Sequence, residues 1–239
     1  MRNVKNRSIV ALSVALATCC SLGCTDVPQP FDLDHARVMA VRIDPPSLPP
    51  DQVATIDVLV TDAAAQPYQA PAGSVRVTLP AALVAAGLGD ALQQTATGWQ
   101  LTSPDAATMA SIRVALNKTS DEPLVVPLDI EVTTADGTLI AQKTVAFGPL
   151  ALNPAVPTIT QNDAVTALTM EPGVEATLSV QNPVDDYSYR WFSSVGDLKG
   201  FTRAQVRVDP IAGPAGLIVV VVRDQAGGTS WAIAPVAAR

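Results

Sequence analysis

The chain has 239 residues, 48% of them hydrophobic but only 4% aromatic, which suits one or two domains whose cores are filled by many small side chains. The formal net charge is −7 and the basic residues are scattered, so no cationic stripe is left to displace the counterions of a nucleic acid, and that class of partner is excluded. Twenty prolines and fourteen glycines, spread along the sequence, exclude long helices and favour short elements broken by turns.

The opening segment, MRNVKNRSIVALSVALATCCSLGC, holds all three cysteines, Cys19, Cys20 and Cys24. It begins with a basic stretch ending at Arg7, continues with an apolar run from Ile9 to Ala17, and closes on small residues, the three parts of a secretory signal. The apolar run falls short of the roughly 20 residues that span a bilayer as a helix. A metal claw is disfavoured, because tetrahedral zinc wants four N/S ligands and here two of three sulfurs are adjacent and the sole histidine is His35.

Ser21-Leu22-Gly23-Cys24 resembles the bacterial lipobox, with Ser21 where leucine is usual; Leu16-Ala17-Thr18-Cys19 is a competing match with threonine before its cysteine. The resemblance implies cleavage between Gly23 and Cys24, acylation of Cys24 with palmitate-type chains, and loss of Cys19 and Cys20 with a signal peptide over 1–23. It also implies an exported protein of the cell envelope, attached to the membrane through Cys24. Thr25 directly after the cysteine favours sorting to the outer membrane. Removal of Arg2, Lys5 and Arg7 takes the net charge from −7 to −10, so an anionic surface would repel the remainder.

Residues 24–36 then read as the acylated cysteine and a flexible tether, polar, acidic and proline-containing. Asp26, Asp32 and Asp34 lack the spacing and glycine of a calcium loop, and His35 is a bystander here. From residue 37 the pattern turns to short strands. Ala54 to Thr61 and Ser74 to Leu79 alternate apolar and polar residues, and so do Ile112, Val114 and Leu116 within a strand expected over Met109 to Leu116. Pro80 to Leu92 is the one credible helix, limited by Gly87 and Gly89. Leu124 to Thr133 and Leu139 to Phe147 flank Asp136-Gly137, a strong hairpin signal.

Three prolines within 149–157 mark a semi-rigid linker and the boundary between a domain over 37–148 and a second over 158–239. The second half restarts the strand pattern, with turns at Glu171-Pro172-Gly173, Gln181-Asn182-Pro183, Val195-Gly196-Asp197 and Gln225 to Gly228. Gly216 to Val222, GLIVVVV, has the length and apolarity of a buried strand. Trp191 resembles the core tryptophan on the third strand of immunoglobulin-like and PKD-like domains, followed here by a Gly196-Asp197 turn. The expected fold is all-β: two tandem immunoglobulin-like antiparallel β-sandwiches after a signal peptide and tether.

Catalytic residues are not expected. The single histidine lies in the tether, and the folded part has no cysteine, P-loop, dinucleotide fingerprint or H-E-x-x-H. No cofactor or metal is expected either, and Asp185-Asp186 read as a solvated turn. Tyr187, Tyr189 and Trp191 alternate on one strand and form the ligand-binding candidate, a stacking platform for sugar rings; core packing is the competing reading. The function expected is therefore a non-enzymatic binding or structural module of the envelope with a protein or polysaccharide partner. The alternatives are a carbohydrate-binding adhesion module using that aromatic face, or an accessory subunit exposing an edge strand such as Leu217 to Val222.

Overall fold

The computed structural model describes residues 29–119, 123–165, 167–211 and 215–238. The cleavage motif and Cys19, Cys20, Gly23 and Cys24 lie outside the described residues. The strands of the first half are β1 (Arg37–Asp44), β2 (Ser47–Leu48), β3 (Val53–Thr61), β4 (Pro67–Gln69), β5 (Val75–Thr78), β6 (Leu92–Gln94), β7 (Trp99–Thr102), β8 (Leu124–Thr134) and β9 (Gly137–Phe147). Those of the second are β10 (Ile159–Gln161), β11 (Leu168–Met170), β12 (Ala176–Val180), β13 (Ser188–Ser193), β14 (Gly196–Lys199), β15 (Gln205–Pro210), β16 (Gly216–Arg223) and β17 (Thr229–Ala238).

Each half is a two-sheet sandwich, and the strand order of one repeats in the other. The first pairs β1-β3-β7-β6 against β2-β9-β8-β5, with β4 added to β3; the second pairs β10-β12-β15-β14 against β11-β17-β16-β13. In both, the opening strand is split, and its second piece crosses to the other sheet to pair parallel with the last strand, β2 on β9 and β11 on β17. This is the immunoglobulin-like Greek-key order of the constant type. The split has a local cause in each. Pro45, Pro46, Pro49 and Pro50 have no N–H to continue the β1 ladder. In the second sandwich Asn162 and Asp163 turn the chain with φ of 50° and 64°.

The Asp-Gly hairpin forms as expected: β8 and β9 pair along their whole length, from Leu124↔Phe147 to Thr134↔Gly137, and Gly137 takes a φ of 133° at the turn. Residues 109–116 depart from the expected strand. Residues 109–115 belong to the helix Ala106–Ala115, with Leu116 as its C-cap, and the helix is capped at its start by Asp105, whose carboxylate accepts from the Thr108 N–H at 2.7 Å. Met109 and Ile112, one turn apart, are buried, whereas Val114 is 76% exposed, so helical periodicity governs where the alternation of three apolar residues misled. The helix expected over Pro80 to Leu92 is reduced to Ala81–Leu83 and a wide turn, which Gly87 enters with a φ of 108°. Gly196-Asp197, expected as a turn, begins β14 instead, and β10 and the β6–β7 pair were not anticipated.

Each sandwich encloses its own core. The first is built on residues such as Ile43, Leu101, Leu128, Ile130 and Phe147, the second around Trp191 with Leu178, Val208, Ile218 and Val220. A third apolar cluster belongs to neither interior. Met39, Ala40 and Leu59, on the outward face of β1 and β3, meet Phe192, Val219 and Val221, on the outward face of β13 and β16. The sandwiches are thus packed sheet on sheet through outer faces that water would otherwise cover. This explains GLIVVVV: alternate residues of β16 serve two different cores, and a strand buried on both faces has no polar alternation.

Candidate functional site: the seam between the sandwiches

The seam is apolar at its centre and ringed by cations. Arg42 makes two hydrogen bonds to the Asp57 carboxylate across the β1–β3 ladder, at 2.6 and 3.1 Å, and its guanidinium stacks 4.8 Å from the centre of the Trp231 ring. Arg37 stands 5.1 Å above the Phe192 ring and donates to the Pro30 carbonyl, while its Nε and Nη2 are buried without a hydrogen-bond partner. Arg223 reaches across to the Met39 carbonyl at 3.2 Å. Burial pulls the pKa of both Arg37 and Arg223 down, and the nearby charge of Arg190 adds to this in each; Asp34 and Asp32 oppose it at Arg37.

Lys143, on β9, crosses the seam to the turn between β16 and β17, donating to the Gly227 carbonyl at 2.6 Å and to the Thr229 hydroxyl at 2.8 Å. Burial, helped by the charge of Arg223 and opposed by Asp224, lowers its pKa from 10.5 to about 8. Asn153 is the other cross-link. Its amide donates to the Ile43 carbonyl and the Asp44 carboxylate, and its carbonyl accepts from the Thr229 N–H at 2.7 Å. The Ser230 hydroxyl donates to the Pro154 carbonyl, and Pro154 and Pro157 are buried. The proline-rich stretch between the sandwiches is therefore pinned into the seam at Asn153 and Pro154, with Leu150, Leu152 and Val156 left exposed, where a free semi-rigid spacer was expected.

Part of the expected tether behaves in the same way. Residues 29–36 form a strap along the end of β13: the Leu33 N–H donates to the Ser193 carbonyl at 3.0 Å and the Ser193 N–H to the Phe31 carbonyl at 2.9 Å. Phe31, 6% exposed, closes the core of the second sandwich with its ring 5.3 Å from that of Phe201; Leu33, 2% exposed, enters the seam. The His35 carbonyl accepts from the buried Thr61 hydroxyl at 2.7 Å, and the His35 ring pairs with Asp34. The strap thus touches the second sandwich before the chain enters the first. Its sequence signal was Phe31 and Leu33 at alternate positions within an otherwise polar stretch.

The aromatic candidates are core. Trp191 is fully buried and donates its indole N–H to the Arg203 carbonyl at 2.7 Å. Tyr189 is 7% exposed, and its hydroxyl donates to the Val184 carbonyl and accepts from the Val184 N–H. Tyr187 packs half-buried against the same core. Tyr189 and Trp191 leave no ring face for a sugar, and the three-ring platform does not form, because the alternation that put these residues on one face turned that face inward. The edge-strand alternative meets the same end: β16 is paired with β13 on one side and β17 on the other. Trp99 and Trp231 pack as well, Trp99 donating to the Val75 carbonyl at 2.8 Å and Trp231 lying under the Arg42 guanidinium. Asp185 and Asp186 are exposed, and among the described residues no group of three His, Cys, Asp or Glu is placed to hold a metal ion.

No family model matches the chain, and no curated protein matches it. Among solved structures, murine CEACAM1b shares 13% identity over 84% of this chain and 100% of its own, with a TM-score of 0.30. The fibronectin(III)-like modules of Clostridium thermocellum CbhA share 12% over 85% and 94%, with a TM-score of 0.28. A nucleoside hydrolase-related protein from Saccharophagus degradans shares 18% over 37% of this chain and 26% of its own, with a TM-score of 0.28. The strand order and pairing of the two sandwiches carry the assignment of the fold: all-β, immunoglobulin-like and double.

Proposed function

We propose that this protein is an exported bacterial lipoprotein, acylated at Cys24 and held at the outer membrane, that serves the envelope as a non-enzymatic structural or binding module. The observation that carries the module reading is the seam. Its charged and amide side chains, Arg37, Arg42, Lys143, Asn153 and Arg223, are engaged in joining two sandwiches, and the aromatic residues of β13 fill a core. Such an arrangement supports a rigid body that presents surface to a partner protein or polysaccharide. The anchor reading is supported by the basic, apolar and small-residue order of the first 24 residues, ending on Gly23-Cys24. One acyl chain gives marginal membrane binding, and the two or three carried by this class of anchor give a stable hold.

A Cys24→Ala variant expressed in the producing bacterium, labelled with a radioactive fatty acid and fractionated, tests the anchor. Loss of both label and membrane association is expected. Persistence of both would overturn it.

A further inference from the structure

We infer that the strap fixes how the body meets the bilayer: the end carrying Ala65, Ser194 to Lys199 and Ile211 faces the lipid surface, and the turns at 184–187 and 224–228 face away. The inference rests on acylation of Cys24 and specifies its geometry. A free tether up to β1 would put thirteen residue steps, a reach of about 45 Å, between the cysteine and the first sandwich. The strap removes most of that length. Gln29 and Phe31 lie in the groove bordered by Ala65, Ser194, Asp197, Lys199 and Ile211, and the strap is hydrogen-bonded to Ser193. Only five residue steps separate Cys24 from Gln29, at most about 18 Å of extended chain.

The strands set the direction. β13 runs from Ser188 to Ser193, and the strap holds its Ser193 end. On β16, Leu217 is hydrogen-bonded to Ser194 at that same end, so the turn after Arg223 lies a strand length away, about 23 Å. A leash of about 18 Å attached at one end of a body at least that tall leaves the near end against the surface. Ile211, 65% exposed on that end, gives it an apolar contact for the interface. Charge does not supply this orientation, since Asp32, Asp34 and Asp197 border the same groove. Chain length does.

In the mature acylated chain a single introduced cysteine is the only free thiol, so the geometry can be read by site-specific labelling. Ala65→Cys and Asp197→Cys report the near end, Asp185→Cys and Gln225→Cys the far end, each with a fluorophore, in phosphatidylcholine vesicles containing headgroup nitroxide lipid. Several-fold stronger quenching at 65 and 197 than at 185 and 225 is expected. A twelve-residue Gly-Ser insertion between residues 28 and 29 should abolish that contrast while the protein still floats with the vesicles. Equal quenching at both ends in a protein that floats overturns the orientation alone. A chain that neither floats nor carries a diacylglyceryl mass on Cys24 overturns the anchor and, with it, the orientation.

Discussion

Leu59→Ala is the sharpest test of the seam. Leu59 lies on the outward face of β3, where an isolated sandwich would leave it in water, yet it is 1% exposed because β13 and β16 of the other sandwich cover it. If the seam were a loose apposition, truncation would cost what an exposed sheet position costs, about 0.5 kcal/mol or less. If it is packed as a core, the loss is the removed methyl and methylene contacts plus the cavity left behind, about 2.7–5 kcal/mol for leucine to alanine. The outer sheets relax more readily than a central core, so a value near 3 kcal/mol is expected. Equilibrium unfolding in urea, followed in parallel by tryptophan fluorescence and far-ultraviolet circular dichroism, measures it. The double variant with Val221→Ala, across the seam, adds the decisive number. Coupling of at least about 0.5 kcal/mol between the two sites is expected for side chains sharing one packed cluster. A cost for Leu59→Ala below about 0.5 kcal/mol, or strict additivity with Val221→Ala, would refute the claim that the sandwiches form one packed unit.

Lys143 makes the seam sensitive to alkaline pH, with a definite sign. Its pKa is about 8 in the folded protein against an ordinary 10.5, so between those values the unfolded chain binds the extra proton and stability rises with pH; below about 8 both states are protonated and this group contributes no slope. The wild type minus Lys143→Met difference in Tm should therefore grow in favour of the wild type from pH 8 to 10.5, and a flat difference would refute the burial of this ammonium. Two glycines with positive φ separate backbone conformation from steric room. At Gly196 (φ 155°) an added Cβ would overlap the Asp209 carbonyl oxygen, part of the β15 backbone, whereas at Gly173 (φ 76°) it would meet open space. Gly173→Ala should cost only conformational strain, about 1–3 kcal/mol, and Gly196→Ala clearly more, as thermal melts of the two would show.

The parts of this molecule visible in its sequence are those that local rules determine. Asp136-Gly137 specified a hairpin because glycine alone tolerates the φ the turn demands, and the alternation of β3 and β12 fixed which faces turn inward. The helix at 106–115 was lost to a coincidence: Ile112, Val114 and Leu116 alternate like a strand, while the Asp105 cap and the Met109–Ile112 spacing carried the true period. The seam was only half legible. An unbroken GLIVVVV states that both faces of a strand are covered, but a sequence cannot say by what, since the covering residues, Met39, Ala40 and Leu59, lie more than 150 positions away. Lys143, Asn153 and Arg223 carry no local signature at all, because each is ordinary alone and acquires its role only from the partner it reaches across the seam.

The same logic explains why an aromatic-poor chain would fuse its sandwiches. With 4% aromatic residues and no cysteine beyond Cys24, neither half can draw on the large rings or the inter-sheet disulfide that strengthen many sandwiches of this order. Domains of this size bury a modest share of their surface alone. Packing the outward faces of β1–β3 and β13–β16 together turns surface into core without adding a residue, so Val219, Val221 and Leu59 provide the burial that rings and disulfides would otherwise supply. The strap and the proline-rich connection follow from that choice: once two outer faces are joined, every segment crossing the joint either packs into it or holds it open, and Leu33 and Pro154 pack.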